Sequence, residues 1–198
     1  MSGVFNPEKI LAKYPQSLPR YTSYPPANHF QPAGGRDLRE AFIAAVDSAD
    51  AVSAYIHIPY CDRLCWFCGC HTKQTLRYDP VRSYVTSLID EIGLWKGKLI
   101  RRPRLSRLHL GGGSPTFLTD AQLTELMVML RRHFSFAPGG EYSIEVDPRT
   151  VDAGRLQHLA QLGFNRLSLG VQDFDLLVQK AVHRVQPAQQ VFALVEAA

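Results

Sequence analysis

From Ser53 onward, short apolar stretches of strand length alternate with longer stretches that repeat apolar residues at helical spacing. Strands are predicted over Ser53–Pro59, Arg104–Leu110, Glu141–Val146 and Arg166–Gly170. Repeated strand–helix units require parallel strands with right-handed crossovers, either in an open doubly wound sheet or in a barrel. The sequence therefore predicts an α/β fold and leaves these two architectures open.

Each predicted strand is followed by a segment with a recognised helix signal. These signals are Asp79 as N-cap with Pro80 as first helical residue, a capping box of Thr119 with Gln122, a helix over Asp152–Leu162 that ends at Gly163, and a last helix from about Ala188.

The first 50 residues contain no strand-like run and are rich in proline and aromatic residues. The segment Pro19–Pro26 has prolines at both ends, which favours extended, irregular backbone. A helix over Gly35–Ser48 is predicted to close this arm. We therefore divide the chain into an arm with its helix, residues 1–50, and four strand–helix units, residues 51–198.

All four cysteines, Cys61, Cys65, Cys68 and Cys70, lie in the loop after the first predicted strand. A disulfide framework is typical of small secreted chains, whereas this chain has 198 residues and 45% hydrophobic composition. A zinc site usually takes a second pair of Cys or His ligands from elsewhere, and only His71 lies beside the loop. An iron–sulfur cluster is the third interpretation, because thiolates are its usual ligands.

The unusual motifs all lie at the carboxyl ends of predicted strands or just beyond them. They are the cysteine loop, the glycine run Gly111–Gly113, Glu145 and Gln172. Because both candidate architectures bind ligands at the carboxyl ends of their strands, we expect these motifs to share one active site. The glycine run suits either a tight turn or close approach to a ligand, with its N–H groups meeting carboxylate or phosphate oxygens.

Charge and hydropathy argue against two classes of partner. The net charge is only +4 and basic residues are dispersed, which gives nucleic-acid binding little support. No apolar run has the length of a membrane span, and the first ten residues contain no hydrophobic signal segment. We therefore expect a cytoplasmic protein that binds neither nucleic acid nor membrane.

The spacing C-x3-C-x2-C, with the flanking sequences YIHIPYC and FCGC, resembles the oxygen-independent coproporphyrinogen III oxidases of the radical S-adenosylmethionine (SAM) superfamily. The segments PRYTSYP, GGGSPT, SIEVDP and GVQDF extend this resemblance over almost the whole chain, with Ser114 in place of the usual threonine. The resemblance implies a partial barrel of parallel strands preceded by the irregular arm. It also implies that the arm, with Arg20 and Tyr21, approaches the active site; a surface arm is the alternative.

The resemblance further implies the site residues. A 4Fe-4S cluster would be held by Cys61, Cys65 and Cys68, with SAM on its open iron, and Cys70 would not be a ligand. SAM would be bound by Tyr55, Phe67, Gly112, Gly113, Ser114, Glu145, Gln172 and Arg184, the last two being associated with a second SAM molecule. Without the resemblance, Tyr55 and Phe67 would be core aromatics, Glu145 an ion-pair partner of Arg166, and Arg184 a surface charge.

The implied reaction is oxidative decarboxylation of two propionates of coproporphyrinogen III to vinyl groups, giving protoporphyrinogen IX for haem synthesis. The implied partners are that substrate and a flavodoxin- or ferredoxin-type electron donor, and the full-length protein would be a monomer. The alternatives are a related haem chaperone without oxidase activity and an inactive fragment. Because four strands fill only part of a barrel, we expect the fourth to be an unpaired edge and the chain to be the front part of a longer protein.

Overall fold

The computed structural model describes His29 and residues 36–198. The chain forms two compact units, residues 1–39 and residues 40–198. Helix α1 (Arg36–Ser48) begins in the first unit and ends in the second, one residue from its predicted start. The segment with Arg20 and Tyr21 lies outside the described residues, so its approach to the active site stays a prediction, as does the division of the chain at residue 50.

Four parallel strands form the main sheet of the second unit in the order β1, β4, β5, β6. Their bounds are β1 (Val52–Ile58), β4 (Arg104–Gly112), β5 (Ser135–Val146) and β6 (Arg166–Leu169). Each strand lies beside its predecessor along the chain with no reversal of order. A doubly wound sheet reverses its strand order at the switch point, so this progression is the one expected of a barrel. Strand β6 lies at one edge, as predicted, and β1 at the other.

Two short parallel strands, β2 (Tyr60–Cys61) and β3 (Lys73–Gln74), pair with each other on either side of the cysteine loop. Lys73 donates its backbone N–H to Pro59 at 2.6 Å, and Thr75 donates to Cys61 at 3.0 Å. The two ends of the loop therefore lie side by side, directly beyond the carboxyl end of β1.

The remaining helices follow the predicted positions with two differences. They are α2 (Asp79–Lys96), α3 (Asp120–His133), α4 (Ala153–Gln161), α5 (Leu176–Ala181) and α6 (Ala188–Ala197), with a 3-10 turn at Pro115–Phe117. Asp79 is the first residue of α2 and Tyr78 is its N-cap, so the predicted N-cap is wrong by one residue. Helix α5 was not predicted, because its six residues are too few for a periodic pattern.

The observed helix termini confirm the signals predicted at the start of α3 and at both ends of α4. The Thr119 hydroxyl accepts from the Gln122 backbone, while the Gln122 side chain accepts from the Thr119 backbone, which completes the capping box. Asp152 caps α4 by accepting from the Arg155 backbone at 2.8 Å. Gly163 follows that helix with φ of +92°, in the left-handed region that favours glycine.

Strand β5 begins earlier than predicted. Between Phe136 and Glu141 it bulges, because four residues lie opposite a single residue of β4. Pro138 has no N–H to donate and Gly139 has φ of +71°, so this stretch reads as a turn although the strand continues through it.

The two faces of the sheet differ sharply in polarity. Apolar strand residues such as Ile58, Leu110 and Ile144 are fully buried and pack with helix residues such as Leu126 and Leu159. The opposite face, which would be the barrel interior, presents polar side chains at alternating positions. These are Tyr55 and His57 on β1, Arg107 and His109 on β4, and Glu141, Ser143 and Glu145 on β5. Within the described residues, no helix is both long enough and apolar enough to cross a membrane.

Candidate functional site

The four cysteines are free thiols in a loop whose ends are fixed. Cys61 lies on β2 and is half-buried, as is Cys65, whereas Cys68 and Cys70 are exposed. Cys68 donates its N–H to the Cys65 carbonyl at 3.0 Å, which closes a tight turn between these two ligand candidates.

The thiols are close enough to influence one another electrostatically. Burial, followed by the charges of Cys68 and Cys65, raises the pKa of the Cys61 thiol to about 12. Among the described residues, no three His, Cys, Asp or Glu side chains are grouped so as to hold one metal ion. A four-iron cluster needs no such convergence, since each thiolate binds a different iron. The donor set is therefore chemically suited to a cluster.

The glycine run brings the end of β4 against the start of the cysteine loop. Gly112 has φ of +121°, and a Cβ there would lie 2.8 Å from the Ile58 carbonyl oxygen. A Cβ on Gly113 would lie 3.0 Å from the Cys61 sulfur. Close approach therefore does require glycine at both positions, with Gly112 approaching the end of β1 and Gly113 approaching the start of the cysteine loop.

The N–H groups of this run already have partners within the protein. Gly113 donates to Ile58 at 2.8 Å and Ser114 donates to Tyr60 at 3.0 Å. Gly112 donates to Glu145 Oε2 at 3.2 Å. All three donors therefore have acceptors within the protein, and their meeting a ligand anion stays a prediction. Ser114 is buried, and its hydroxyl lies 3.3 Å from that of Thr116.

Glu145 lies at the carboxyl end of β5 on the polar face, opposite its buried neighbours in the strand. Besides Gly112, its carboxylate accepts from His109 Nε2 at 3.2 Å. Arg166 pairs instead with Glu141 at 2.7 Å, so the alternative of a Glu145–Arg166 ion pair is wrong. The Glu145 side chain remains 41% exposed, which leaves its carboxylate accessible beside the glycine run.

Tyr55 and Phe67 are 59% and 63% exposed, so neither is a core aromatic. The Tyr55 ring stacks on His109 with centroids 5.7 Å apart, and its hydroxyl donates to His57 Nδ1 at 2.9 Å. His57 Nε2 in turn donates to the His71 carbonyl at 2.8 Å. This chain of contacts connects Tyr55 to the residue that follows Cys70.

Arg184 is only 8% exposed, and its position contradicts the surface-charge alternative. Its guanidinium donates to Gly170 at 2.5 Å, pairs with Asp147 at 3.2 Å and donates to the Cys65 sulfur at 3.3 Å. Arg149 pairs with the same carboxylate at 2.6 Å and donates to the same sulfur at 3.4 Å. Two guanidinium groups thus share one aspartate and one cysteine.

The pKa values follow from this arrangement. Burial acts to raise the pKa of Asp147, but hydrogen bonds from Arg149, together with the charge of Arg184, outweigh it and lower that pKa. Hydrogen bonding to Asp147 raises the pKa of Arg149. Asp147 and Arg149 are therefore both charged throughout the neutral range.

The segment after β6 contacts the cysteine loop from a second side. Trp66 donates its N–H to Val182 at 2.9 Å, and its ring stacks on His183 with centroids 5.3 Å apart. Gln172 and His183 both have positive φ, of 68° and 59°. Non-glycine residues in this region are uncommon and cluster at functional sites.

The structure thus brings the cysteine loop, glycine run, Glu145 and Arg184 together at the carboxyl ends of the strands. Exposed Gln172 lies on the segment between β6 and Arg184. Sequence reasoning missed four further residues, His57, His109, Asp147 and Arg149. The first two share the strand alternation of Tyr55 and Glu145, a signal that was available. Asp147 and Arg149 follow β5 directly, but their sequence gives no sign of contact with Cys65.

Comparisons with known proteins identify the family of this chain. Residues 55–198 match the Radical SAM superfamily. The chain is 44% identical over 176 residues to an oxygen-independent coproporphyrinogen III oxidase of Paracoccus denitrificans, covering 89% of this chain and 39% of that protein. It is also 44% identical over 187 residues to the enzyme of that name from Escherichia coli, covering 93% and 40%.

A solved structure gives the same result at the level of the fold. The coproporphyrinogen III oxidase of Escherichia coli, described as a radical SAM enzyme, superposes with a TM-score of 0.83 at 41% identity. The match covers 96% of this chain and 42% of that one. The chain therefore spans about two fifths of the length of these relatives.

Proposed function

The chain belongs to the radical SAM superfamily, and from that premise we propose that the protein with this sequence is an oxygen-independent coproporphyrinogen III oxidase. The observation that supports this most strongly is the C-x3-C-x2-C loop at the carboxyl end of β1, in contact with the glycine run of β4. Relatives of that name are 44% identical to the chain.

Cys61, Cys65 and Cys68 would hold the 4Fe-4S cluster and leave one iron for SAM. Bound together, the cluster and SAM supply the radical chemistry that protein side chains lack. Cys70 is exposed and would remain a free thiol.

The remaining site residues would bind and orient SAM. Tyr55 on β1 and Phe67 within the loop present exposed rings, suited to packing against an adenine or a methionine chain. Gly112 and Gly113 have no side chains to exclude the cofactor, and Ser114 supports them from a buried position. Glu145 presents an accessible carboxylate that suits the hydroxyls of a ribose.

Gln172 and Arg184 lie on the segment that packs against the cysteine loop. Their place beside a cluster ligand suits contact with a second SAM molecule. Arg184 would act mainly through its charge, since its side chain is buried.

The proposed substrate is coproporphyrinogen III, of which two propionates become vinyl groups. Each propionate would lose carbon dioxide, one hydrogen atom to the 5′-deoxyadenosyl group of cleaved SAM, and one electron, which offsets the electron consumed in that cleavage. A flavodoxin- or ferredoxin-type protein would supply electrons for SAM cleavage. We place the protein in the cytoplasm, where thiols remain reduced, and expect a monomer at full length.

Anaerobic turnover at native length tests this function. The purified protein is incubated with coproporphyrinogen III, SAM and dithionite, and porphyrins are separated by chromatography after oxidation. We expect protoporphyrin in the wild type and none in the Cys65→Ser variant. Haem binding with an assembled cluster but no conversion would overturn the proposal in favour of a chaperone.

A further inference from the structure

We propose that Arg149 and Arg184 raise the reduction potential of the cluster by donating to the Cys65 sulfur, and that Asp147 is the positioning residue that holds them there. This inference rests on the proposed function, because it requires the cluster. It goes beyond that function by giving Cys65 an electrostatic role distinct from those of Cys61 and Cys68.

The three sulfurs differ in their surroundings. Cys65 Sγ has two guanidinium donors, at 3.3 Å from Arg184 and 3.4 Å from Arg149. Cys68 Sγ lies near the Thr72 hydroxyl at 3.8 Å, a neutral and weaker contact. Over residues 36–198, no cationic side chain is hydrogen-bonded to Cys61 or Cys68.

Asp147 fixes both arginines through its two carboxylate oxygens. Arg149 donates from Nη2 to Oδ2 at 2.6 Å and from Nε to Oδ1 at 3.0 Å, and Arg184 Nη2 lies 3.2 Å from Oδ1. The Arg149 backbone N–H also donates to Oδ1, at 3.0 Å. Side-chain exposure is 11% for Asp147, 13% for Arg149 and 10% for Arg184, so little solvent screens these charges.

The position of Arg184 depends on this aspartate to an unusual degree. Its Nε is buried without a hydrogen-bond partner, so the guanidinium is held only through its two terminal nitrogens. One nitrogen faces the Cys65 sulfur, and the other faces Asp147 and the Gly170 carbonyl. Loss of the carboxylate would leave the buried guanidinium without its counter-charge, held only by the Gly170 carbonyl and the Cys65 sulfur.

The direction of the effect follows from charge. When the cluster takes up one electron, its negative charge increases by one unit, and part of that charge resides on the ligand sulfurs. Hydrogen bonds to those sulfurs and nearby positive charge stabilise the reduced form, and both are known determinants of cluster potential. The aspartate and two arginines together contribute a net charge of +1 beside Cys65.

The Asp147→Asn variant separates positioning from charge. If Asp147 acted only through its negative charge, removing that charge would raise the reduction potential of the cluster. If Asp147 acts by holding the arginines on the Cys65 sulfur, removing its carboxylate lowers the reduction potential, because both donors lose their fixed positions. The sign of the shift therefore decides between the two roles.

The experiment measures the reduction potential of the cluster in the reconstituted native-length protein, without SAM or substrate. The protein is titrated anaerobically with dithionite, and the EPR signal of the reduced cluster is recorded at each potential. For Arg149→Gln we expect about a tenfold smaller ratio of reduced to oxidised cluster at a given potential, equivalent to about 59 mV for one electron. Asp147→Asn is expected to shift the potential in the same direction. The control is Arg155→Gln, which removes a largely buried arginine paired with Asp120 and is expected to leave the potential unchanged.

An assembled cluster with wild-type potential in Arg149→Gln would overturn the proposal, and a raised potential in Asp147→Asn would overturn the role of Asp147. If Arg149→Gln does not assemble a cluster, Arg149→Lys tests the same contact, with an intermediate lowering expected. Loss of the cluster in all three variants would assign the network to loop structure alone and would also overturn the proposal. Failure of the wild type to assemble a four-iron cluster would instead contradict the proposed function.

Discussion

Replacing Gly112 with alanine should destabilise the junction between β4 and the cysteine loop. The residue has φ of +121°, and its new Cβ would lie 2.8 Å from both the Ile58 carbonyl oxygen and the His57 ring. The carbonyl is not free to move, since it accepts from Gly113 at 2.8 Å. Backbone strain of about 1–3 kcal/mol adds to overpacking of about 1–3 kcal/mol.

The sum is a predicted loss of about 2–6 kcal/mol in the free energy of unfolding. Urea unfolding followed by circular dichroism measures it. With a slope of about 2 kcal/mol/M, a loss of about 3 kcal/mol moves the midpoint by about 1.5 M.

Gly93→Ala is the matched control, because Gly93 lies inside α2 and a Cβ there would meet no heavy atom within 4 Å. It should raise stability by about 0.5–1 kcal/mol. If Gly112→Ala unfolds at the same urea concentration as the wild type while Gly93→Ala shows its expected gain, the account of the glycine run is refuted.

Three further substitutions test other parts of the account. Glu145→Ala removes an accessible carboxylate and, with it, a charge-assisted hydrogen bond to SAM of about 1.5–3 kcal/mol. We expect SAM to bind roughly 10- to 150-fold more weakly in anaerobic equilibrium dialysis. Unchanged affinity would exclude the role proposed for Glu145. Thr119→Ala removes the capping box of α3 and should lower the free energy of unfolding by about 1 kcal/mol. The control is Thr86→Ala, on the exposed side of α2, which should change this free energy little. Leu126→Ala opens a cavity at a fully buried position and should cost about 2–5 kcal/mol; a loss below 1 kcal/mol in thermal unfolding would show that the core is not packed as described.

The sequence was sufficient to predict the strand–helix alternation because each element has its own local signal. The capping box at Thr119 and the glycine at 163 are examples that the structure confirms. The start of β5 was not predictable in the same way. Its bulge contains Pro138 and Gly139, which locally favour a turn, and only pairing with β4 keeps the strand intact.

Placement of the site at the carboxyl ends of the strands was also predictable, because parallel topology brings those ends together. The contacts that individual side chains make within the site could not be predicted. Arg184 lies 119 residues from Cys65 in the sequence, and nothing local distinguishes it from an exposed arginine. The same is true of Arg149, whose contact with Cys65 depends on how the cysteine loop folds back toward β5.

The most direct test of the central claim is to count iron and sulfide in the anaerobically reconstituted protein. We predict about four of each per chain in the wild type and in Cys70→Ser, and loss of both in Cys65→Ser. The Cys70→Ser variant matters because Cys70 belongs to the same loop and is equally free to react. A single metal ion per chain, or equal loss of iron in Cys70→Ser, would contradict a cluster held by Cys61, Cys65 and Cys68.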